Sequence, residues 1–564
     1  MNATTSPALP SQSELDTLEI GIIGMGDMGR LYARKFAQAG FKHINVCDRA
    51  ENYETLKADL AEKEPGLTVH KDGYFVSRRS DVIFYSVEAA FLDAVVAQYG
   101  PSTKIGAIVS AQTSVKAPEQ KAFDAHLPAD VSIISCHSLH GPKVDTTNQP
   151  LVLIQHRATD AELHLIERVF ASFKSRYVYL SYEEHDTVTA NTQAVTHAAF
   201  LSMGTAWRCS NAYPWDTGLY PRGIETVKIN LMLRIYSAKW HVYAGLALLN
   251  PSARTQVTQY AESATGLFKL MIAEDEGALV KRVFEARRKV FGWEEDEEGE
   301  GVRPPVSRRD STSAGAGAGA PATNANGLGD GPSRPNNHQP ILMSDRLLDQ
   351  FHLTLRKRAR EAAAAAENHD GPEVESSSSS DSTQAGAVNG TLLNQAATAA
   401  ATSGASSSSL NGATSTTPTD PPNSHLSLLA IVDSWATLSI DPYAHLSLAA
   451  TPLFRLWIGV SEYLFRSTTR LRAACHAAIR MSEFRTDDTE FVVAARGWAQ
   501  AVQFGGVAEG RGQSGFELYR WRFEDTAAFF RDRFEEANAV GAEMLKVVAV
   551  DQEGRDSATV AGAR

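Results

Sequence analysis

The sequence predicts an α/β domain built on a parallel sheet, followed by an all-α domain that a long disordered insert interrupts. Three observations lead there. From Leu18 to about residue 180, short β-branched runs (LEIGII, HINVCD, DVIFYSV, GAIVSA, VSIISC, PLVLIQ) alternate with helix-length segments, the pattern of a parallel sheet with crossover helices. After Glu183 come stretches such as HDTVTANTQAVTHAAFLSMGTAW and NLMLRIYSAKWHVYAGLALL, which carry no strand signal and read as buried helices. Between these helices and a later apolar region, an acidic cluster, EEDEEGEG, gives way to SAGAGAGA and polyserine, sequence with too little apolar surface to fold.

In chain order, residues 1–17 read as a disordered tail and 18–182 as the α/β domain. Residues 183–293 open the helical domain, 294–422 form the insert, 423–550 resume the helices, and 551–564 form a second disordered tail. One island of the insert, Ser344 to Ala366, places Leu347, Leu348, Phe351 and Leu355 at helical spacing behind a Ser344 cap, so it reads either as a docked helix or as more disorder. A chain of 564 residues, 43% hydrophobic, can bury more than one core. Its net charge of −12 gives no basic field, which argues against nucleic acid or an anionic membrane surface as partner. No apolar run approaches the roughly 20 residues of a membrane-spanning helix. The opening MNATTSPALPSQSELDTLE has the features of neither a secretory signal nor a transit peptide. Cys47, Cys136, Cys209 and Cys475 lie too far apart to read as a disulfide framework or a zinc site. A soluble cytoplasmic protein is expected, and the long apolar helices point to a homodimer through the helical domain.

The first strand runs directly into GMGDMG, with Gly24, Gly26 and Gly29 at G-x-G-x-x-G spacing around Met25, Asp27 and Met28, and then into the helical RLYARKFAQAG. In this pattern the first glycine makes the turn, the second admits a pyrophosphate, and the third lets helix and strand pack closely. The N–H groups of the helix N-terminus face the phosphate charge. A second strand ends in Asp48 and Arg49 about 20 residues on, where a ribose-reading residue belongs. The first domain is therefore expected to be Rossmann-like and dinucleotide-binding. Asp48 alone favours NAD, whereas Arg49 can clamp a 2′-phosphate or stack on adenine; local chemistry leaves the cofactor open.

Polar side chains recur where packing does not ask for them. Gln112, Thr113 and Ser114 follow one strand and His137 follows another, both at carboxyl ends, where open α/β sheets bind ligands. His137 and His140 could equally be backbone-bonded loop residues, or two ligands of a metal for which no third ligand lies nearby. Gln193 and His197 stand one turn apart on an apolar helix and share a face, while His185 and Asp186 before them read as helix caps. Arg234 is a lone cation in an apolar helix, suited either to an internal salt bridge or to a substrate carboxylate.

The stretches GIIGMGDMGRLYA, CHSLHGPKV, YEEHDTVTANTQAVTHAAFLSMG, LRIYSAKWHVYAGLALLNPSA and PNSHLSLLAIVDSW resemble the prephenate dehydrogenases, above all the fungal NADP-dependent enzymes. The resemblance covers nearly everything outside the N-terminal tail and the insert. It implies a catalytic histidine at His137, in an H-x-x-x-G-P context with Gly141 and Pro142, and an active-site serine at Ser114, in Q-x-S-V-K. It implies substrate binding by Gln193 and His197, in Q-A-x-x-H, and by Arg234. It implies NADP in preference to NAD, held by Gly24 to Gly29, Asp48 and Arg49, with Arg49 on the 2′-phosphate, and it requires no metal. Bacterial relatives have proline where this chain has Ser138, and no regulatory domain is expected after the helices. The implied reaction, in tyrosine biosynthesis, oxidises prephenate at ring C4 and releases the ring carboxylate to give 4-hydroxyphenylpyruvate. Arogenate is the alternative substrate. A β-hydroxyacid or imine-type reductase on the same scaffold would place a lysine or an acid near Gln193 and His197. A catalytically dead nucleotide-sensing module would have no use for His137, Ser114 and Arg234 together.

Overall fold

The structure, a computed structural model, describes residues 8–64, 66–142, 144–214, 223–294, 423–449, 451–505, 512–541 and 544. Its first part runs α1 (Gln12–Thr17), β1 (Glu19–Ile23), α2 (Asp27–Ala39), β2 (His43–Cys47), α3 (Tyr53–Lys63), β3 (Leu67–Val69), α4 (Gly73–Arg79), β4 (Val82–Tyr85) and α5 (Ala89–Tyr99). It continues through β5 (Ile108–Ala111), α6 (Ala117–His126), β6 (Ser132–Ser138), β7 (Pro150–Arg157), α7 (Asp160–Val169) and β8 (Arg176–Tyr179). The strands form one sheet in the order β3-β2-β1-β4-β5-β6-β7-β8, which is the Rossmann order with two strands added beyond β6. Helices cover both faces. Val82 and Phe84 pack with Tyr32 and Phe36 of α2 on one side; Ile83 and Tyr85 pack with Leu92 of α5 and Phe123 of α6 on the other. A strand buried on both faces has no polar alternation to keep, which is why these segments read as continuous apolar runs.

Two features depart from the sequence reading. The sheet is parallel except between β6 and β7, which pair antiparallel; residues 139–149, which join them, supply no helix among their described residues to carry a parallel crossover. This pairing sets His137 opposite Val152 and Ser138 opposite Leu151, so His137 sits inside the strand and not in the loop after it. Ser138 completes the strand with its hydroxyl 2.7 Å from that of Tyr32. Secondly, the expected disordered tail through residue 17 is corrected by α1. Ser11 and Glu14 form a capping box, Leu15 packs against the sheet's core, and Arg168 donates to Glu14 at 2.7 and 3.0 Å.

The second part is helical: α8 (Tyr182–Thr189), a π turn (Ala190–Ala194), α9 (Val195–Cys209), α10 (Gly223–Tyr236), α11 (Trp240–Leu249), α12 (Ala253–Ile272) and α13 (Glu276–Phe291). After the gap come α14 (Leu426–Leu438), α15 (Pro442–Ala449), α16 (Pro452–Arg466), α17 (Thr468–Arg480), α18 (Arg485–Gly505) and α19 (Gly512–Phe530). Helices from before and after residues 295–422 share one core, in which Phe200, Tyr260 and Phe291 meet Trp435, Trp457 and Trp498. Polar ties cross the same seam. Arg282 donates to both carboxylate oxygens of Asp433 at 2.8 and 2.7 Å, and the fully buried Arg287 donates to the carbonyls of Phe465 and Arg466. Residues 295–422, the insert apart from its first residue and with its Ser344 to Ala366 island, and residues 545–564 lie outside the described residues.

Candidate active site

The glycine turn is built by collision. Gly24 has φ +103°, and a Cβ there would strike the Ser86 carbonyl; a Cβ on Gly29 would strike the carbonyl of Gly24. Gly26 differs, because a Cβ on it would meet nothing within 4 Å. Its backbone faces open space beside the N-terminus of α2, as a pyrophosphate cradle requires. Asp48 stands beneath this turn. Its carboxylate accepts from Met25 N–H at 2.7 Å, from Arg49 N–H at 2.9 Å and from the Asn52 amide at 2.8 Å. Burial opposes its ionisation, yet these donors hold it below the usual carboxylate range. Asp48 thus fastens the turn. The Arg49 side chain is 77% exposed and tethered by Glu51 at 3.6 Å, a surface pair of little strength. From α11's start, Lys239 reaches Asp27 at 3.3 Å and His241 reaches Glu88 at 2.5 Å, so the helical part closes over the nucleotide loops.

His137 is 7% exposed, and its Nδ1 lies 2.8 Å from Nε2 of His185. His185 Nδ1 lies 3.0 Å from Asp186 Oδ1. Asp186 in turn accepts the N–H groups of Lys116 at 2.7 Å and Ala117 at 2.8 Å, at the N-terminus of α6. The expectation that His185 and Asp186 cap their helix is corrected: Ser181 and Glu184 form the capping box of α8, which leaves the next two side chains free to turn inward. Below His137, the buried Lys116 ammonium donates to the carbonyls of Ala111 and Cys136 and to Glu119. Burial, then the neighbouring His185 and Lys116, hold His137 well below the ordinary imidazole value, and His185 is depressed for the same kind of reason. Both rings are neutral at pH 7.

Ser114, half-buried after β5, makes no side-chain hydrogen bond to any described residue, so the imidazole is positioned by His185 and not by this serine. His140 sits apart, with Nδ1 3.0 Å from the Gly141 carbonyl oxygen.

After α8, the π turn takes in an extra residue and so opposes the drift of about 40° that each four-residue step gathers in a regular helix. His185, Gln193 and His197, spaced at such steps, are kept nearer one face. The His197 ring meets Tyr243 edge-on at 4.7 Å, and the charge of Arg234 acts on the Tyr243 hydroxyl, which gathers the three. Burial holds His197 down to about 3, so it too is neutral. Gln112 Nε2, Gln193 Nε2 and His197 Nδ1 are buried without a partner, and Arg234 has no carboxylate partner among the described residues. Unmet buried polar groups are rare in a folded protein, and a guanidinium without a carboxylate partner suits an anionic ligand.

Comparison with known proteins fits this arrangement. Residues 19–114 match the family described as NADP oxidoreductase, coenzyme F420-dependent, and residues 194–304 and 405–550 match the family described as TYR1-like, 6-phosphogluconate dehydrogenase C-terminal domain. The chain is 43% identical over 530 residues, 94% of its length and 97% of the relative's, to the probable NADP(+) prephenate dehydrogenase of Schizosaccharomyces pombe. It is 42% identical over 545 residues, 96% of each, to the NADP(+) prephenate dehydrogenase of Saccharomyces cerevisiae. The chain belongs to the prephenate dehydrogenase family. Among solved structures it resembles prephenate dehydrogenase from A. aeolicus in complex with hydroxyphenyl propionate and NAD+, at 20% identity, covering 47% of this chain and 94% of that one, with a TM-score of 0.37.

For a prephenate dehydrogenase, the residues named from sequence fall into separate clusters: the glycine turn with Asp48 and Arg49, His137 with His185 and Asp186, and His197 and Arg234 about Tyr243. The open backbone at Gly26 and the loosely held Arg49 fit a nicotinamide dinucleotide phosphate. Sequence reasoning missed the buried Lys116, the His137 contact of His185, and Asn191, whose amide meets His445 of α15 at 3.1 Å. The EHD tripeptide carried a signal, since two adjacent ionisable groups at a helix start need a partner once Ser181 already caps it. Among the described residues no group of three or more His, Cys, Asp or Glu could hold a metal, and no helix is long and apolar enough to cross a membrane.

Proposed function

We propose that this chain is an NADP-dependent prephenate dehydrogenase whose base is His137. When bound, NADP+ supplies the nicotinamide that accepts hydride. The residues of the chain do the rest. Nε2 of neutral His137 takes the proton of the C4 hydroxyl, a contribution of roughly 10²–10⁴-fold for a placed base. Ser114, whose hydroxyl is uncommitted, orients that C4 hydroxyl. Arg234 pairs with a substrate carboxylate through parallel hydrogen bonds, while Gln193 and His197 donate to the remaining polar atoms. Departure of the ring carboxylate as carbon dioxide leaves the aromatic ring of 4-hydroxyphenylpyruvate.

One observation carries the assignment of the base: a buried, neutral imidazole held at Nδ1, in a chain of this family. The test is the purified chain with prephenate and NADP+, followed by absorbance of the reduced nicotinamide. Turnover with arogenate and not with prephenate would move the substrate assignment.

We also read the protein as cytoplasmic, in keeping with four free cysteines. A homodimer through the helical part is supported by large apolar side chains exposed on α18 and α19, Phe504 at 72% and Trp521 at 63%. Light scattering on the purified chain checks the dimer, and a monomer mass rejects it.

A further inference from the structure

We propose that Asp186 and His185 are positioning residues that fix the tautomer of His137, through a directed hydrogen-bond chain anchored on the N-terminus of α6. The inference rests on His137 being the base and explains how it keeps a bare Nε2.

The direction of the chain follows from donor counting. A carboxylate only accepts. Asp186 already accepts two backbone N–H groups, from Lys116 and Ala117, at the positive end of a helix, which favours its ionised form and locks its plane. The 3.0 Å contact must therefore be His185 Nδ1–H donating to Asp186 Oδ1. A neutral His185 then has its lone pair on Nε2, so across the 2.8 Å contact His137 Nδ1–H donates. A neutral His137 with its proton on Nδ1 has its lone pair on Nε2, which is what a base for a hydroxyl proton needs. In the reversed chain, His137 would carry Nε2–H and could only donate to the substrate.

The reversed direction needs either a protonated Asp186 or a cationic His185. The two backbone donors oppose the first, and burial beside the Lys116 ammonium opposes the second. Burial raises Asp186 only to about 6, so at pH 7 it is largely ionised. When His137 becomes cationic in the reaction, the same chain places the Asp186 charge two hydrogen bonds away, where it stabilises the imidazolium. A third group that fixes a base's tautomer is a recurring device of catalytic sites.

The experiment uses the full chain in two arms. In the first, nitrogen NMR of ¹⁵N-histidine-labelled protein, with the His137 signals assigned by their loss in His137→Asn, is expected to show Nδ1 protonated and Nε2 bare at pH 7. The opposite tautomer overturns the proposal. In the second, His185→Leu removes the acceptor and is expected to lower kcat by roughly 10²-fold or more, with prephenate KM within about threefold. His185→Gln, whose side-chain carbonyl can accept the Nδ1–H, is expected to recover at least about tenfold of that loss. Wild-type kcat in the leucine variant, or equal losses in both, overturns it. If either variant fails to bind NADP+, the wild-type NMR result decides. A near-normal His137→Asn enzyme would instead remove the base assignment and leave the tautomer measurement standing.

Discussion

Asp48 and Arg49 stand side by side at the end of β2, and the structure gives them different work. The Asp48 carboxylate accepts from Met25, Arg49 and Asn52, which holds the glycine turn, and the exposed Arg49 beside it is the residue we propose for the 2′-phosphate. Arg49→Ala is expected to weaken NADP+ by tenfold or more, a charge-assisted contact being worth about 1.5–3 kcal/mol, and to leave NAD+ nearly unchanged; fluorescence titration with both cofactors measures this, and equal losses contradict it. His137→Asn should lower kcat by roughly 10²-fold or more while prephenate binding changes little, because asparagine keeps a polar side chain but takes up no proton near neutrality. His140→Asn should cost far less, its ring being bound to a loop carbonyl. Since burial depresses His137 and raises Asp186 only to about 6, the rate should fall with pH along a limb centred at about 6 or lower; a limb centred at or above 6.5 contradicts a depressed base. The glycine turn and the proposed base were both legible in the sequence, because each lies in a short local pattern. It did not carry the His185 contact, which joins residues 48 apart and depends on where β6 and α8 meet.

At the scale of elements, the link from β5 to α6 is the hinge of the site: its carboxyl end supplies Ser114, its backbone holds Asp186, and its Lys116 reaches under β6. Lys116 and Glu119 side chains are both 0% exposed and 2.7 Å apart. Removing one partner of such a pair leaves the other charge buried alone, at a cost of about 3–5 kcal/mol. Lys116→Met is thus expected to lower stability by about that amount in urea unfolding followed by circular dichroism, and Lys116→Met with Glu119→Gln to regain much of it. Equal destabilisation in the single and double variants would mean the pair is not what holds the link. The alternation of strands and helices was legible because each strand is short, apolar and bounded by turn residues. The antiparallel return of β7 was not, since PLVLIQ is as apolar as its parallel neighbours and nothing local encodes strand direction. The π turn was likewise hidden: ANTQA differs in no obvious way from an α-helical segment, and only the packing of its neighbours selects the wider turn.

On the scale of the whole molecule, the helices on either side of residues 295–422 behave as one body. Trp435 and Trp457 lie in the core begun by Phe200 and Phe291, Arg282 grips Asp433, and Arg287 bonds the end of α16. An apolar core tied by a part-buried bidentate ion pair and a buried arginine does not depend on the length of chain that joins its two sides. Closing a flexible loop costs only about 0.6 kcal/mol for each doubling of its length, so shortening the connection changes stability by at most a few kcal/mol, in the favourable direction. Replacing Gly301 to Thr419 with a short glycine–serine linker is therefore expected to leave kcat and KM for prephenate within a few-fold and Tm equal or slightly higher. Composition supports the same outcome, since polyserine and Ala/Gly runs have little to bury. The contrary argument rests on Leu347, Leu348, Phe351 and Leu355 at helical spacing, which could cover an apolar face of the helical part. Two deletions separate the arguments: one that removes everything from Gly301 to Thr419, and one that keeps Ser344 to Ala366 between two short linkers. If the first is insoluble or inactive and the second is not, that island is a docked helix and the connection is part of the fold.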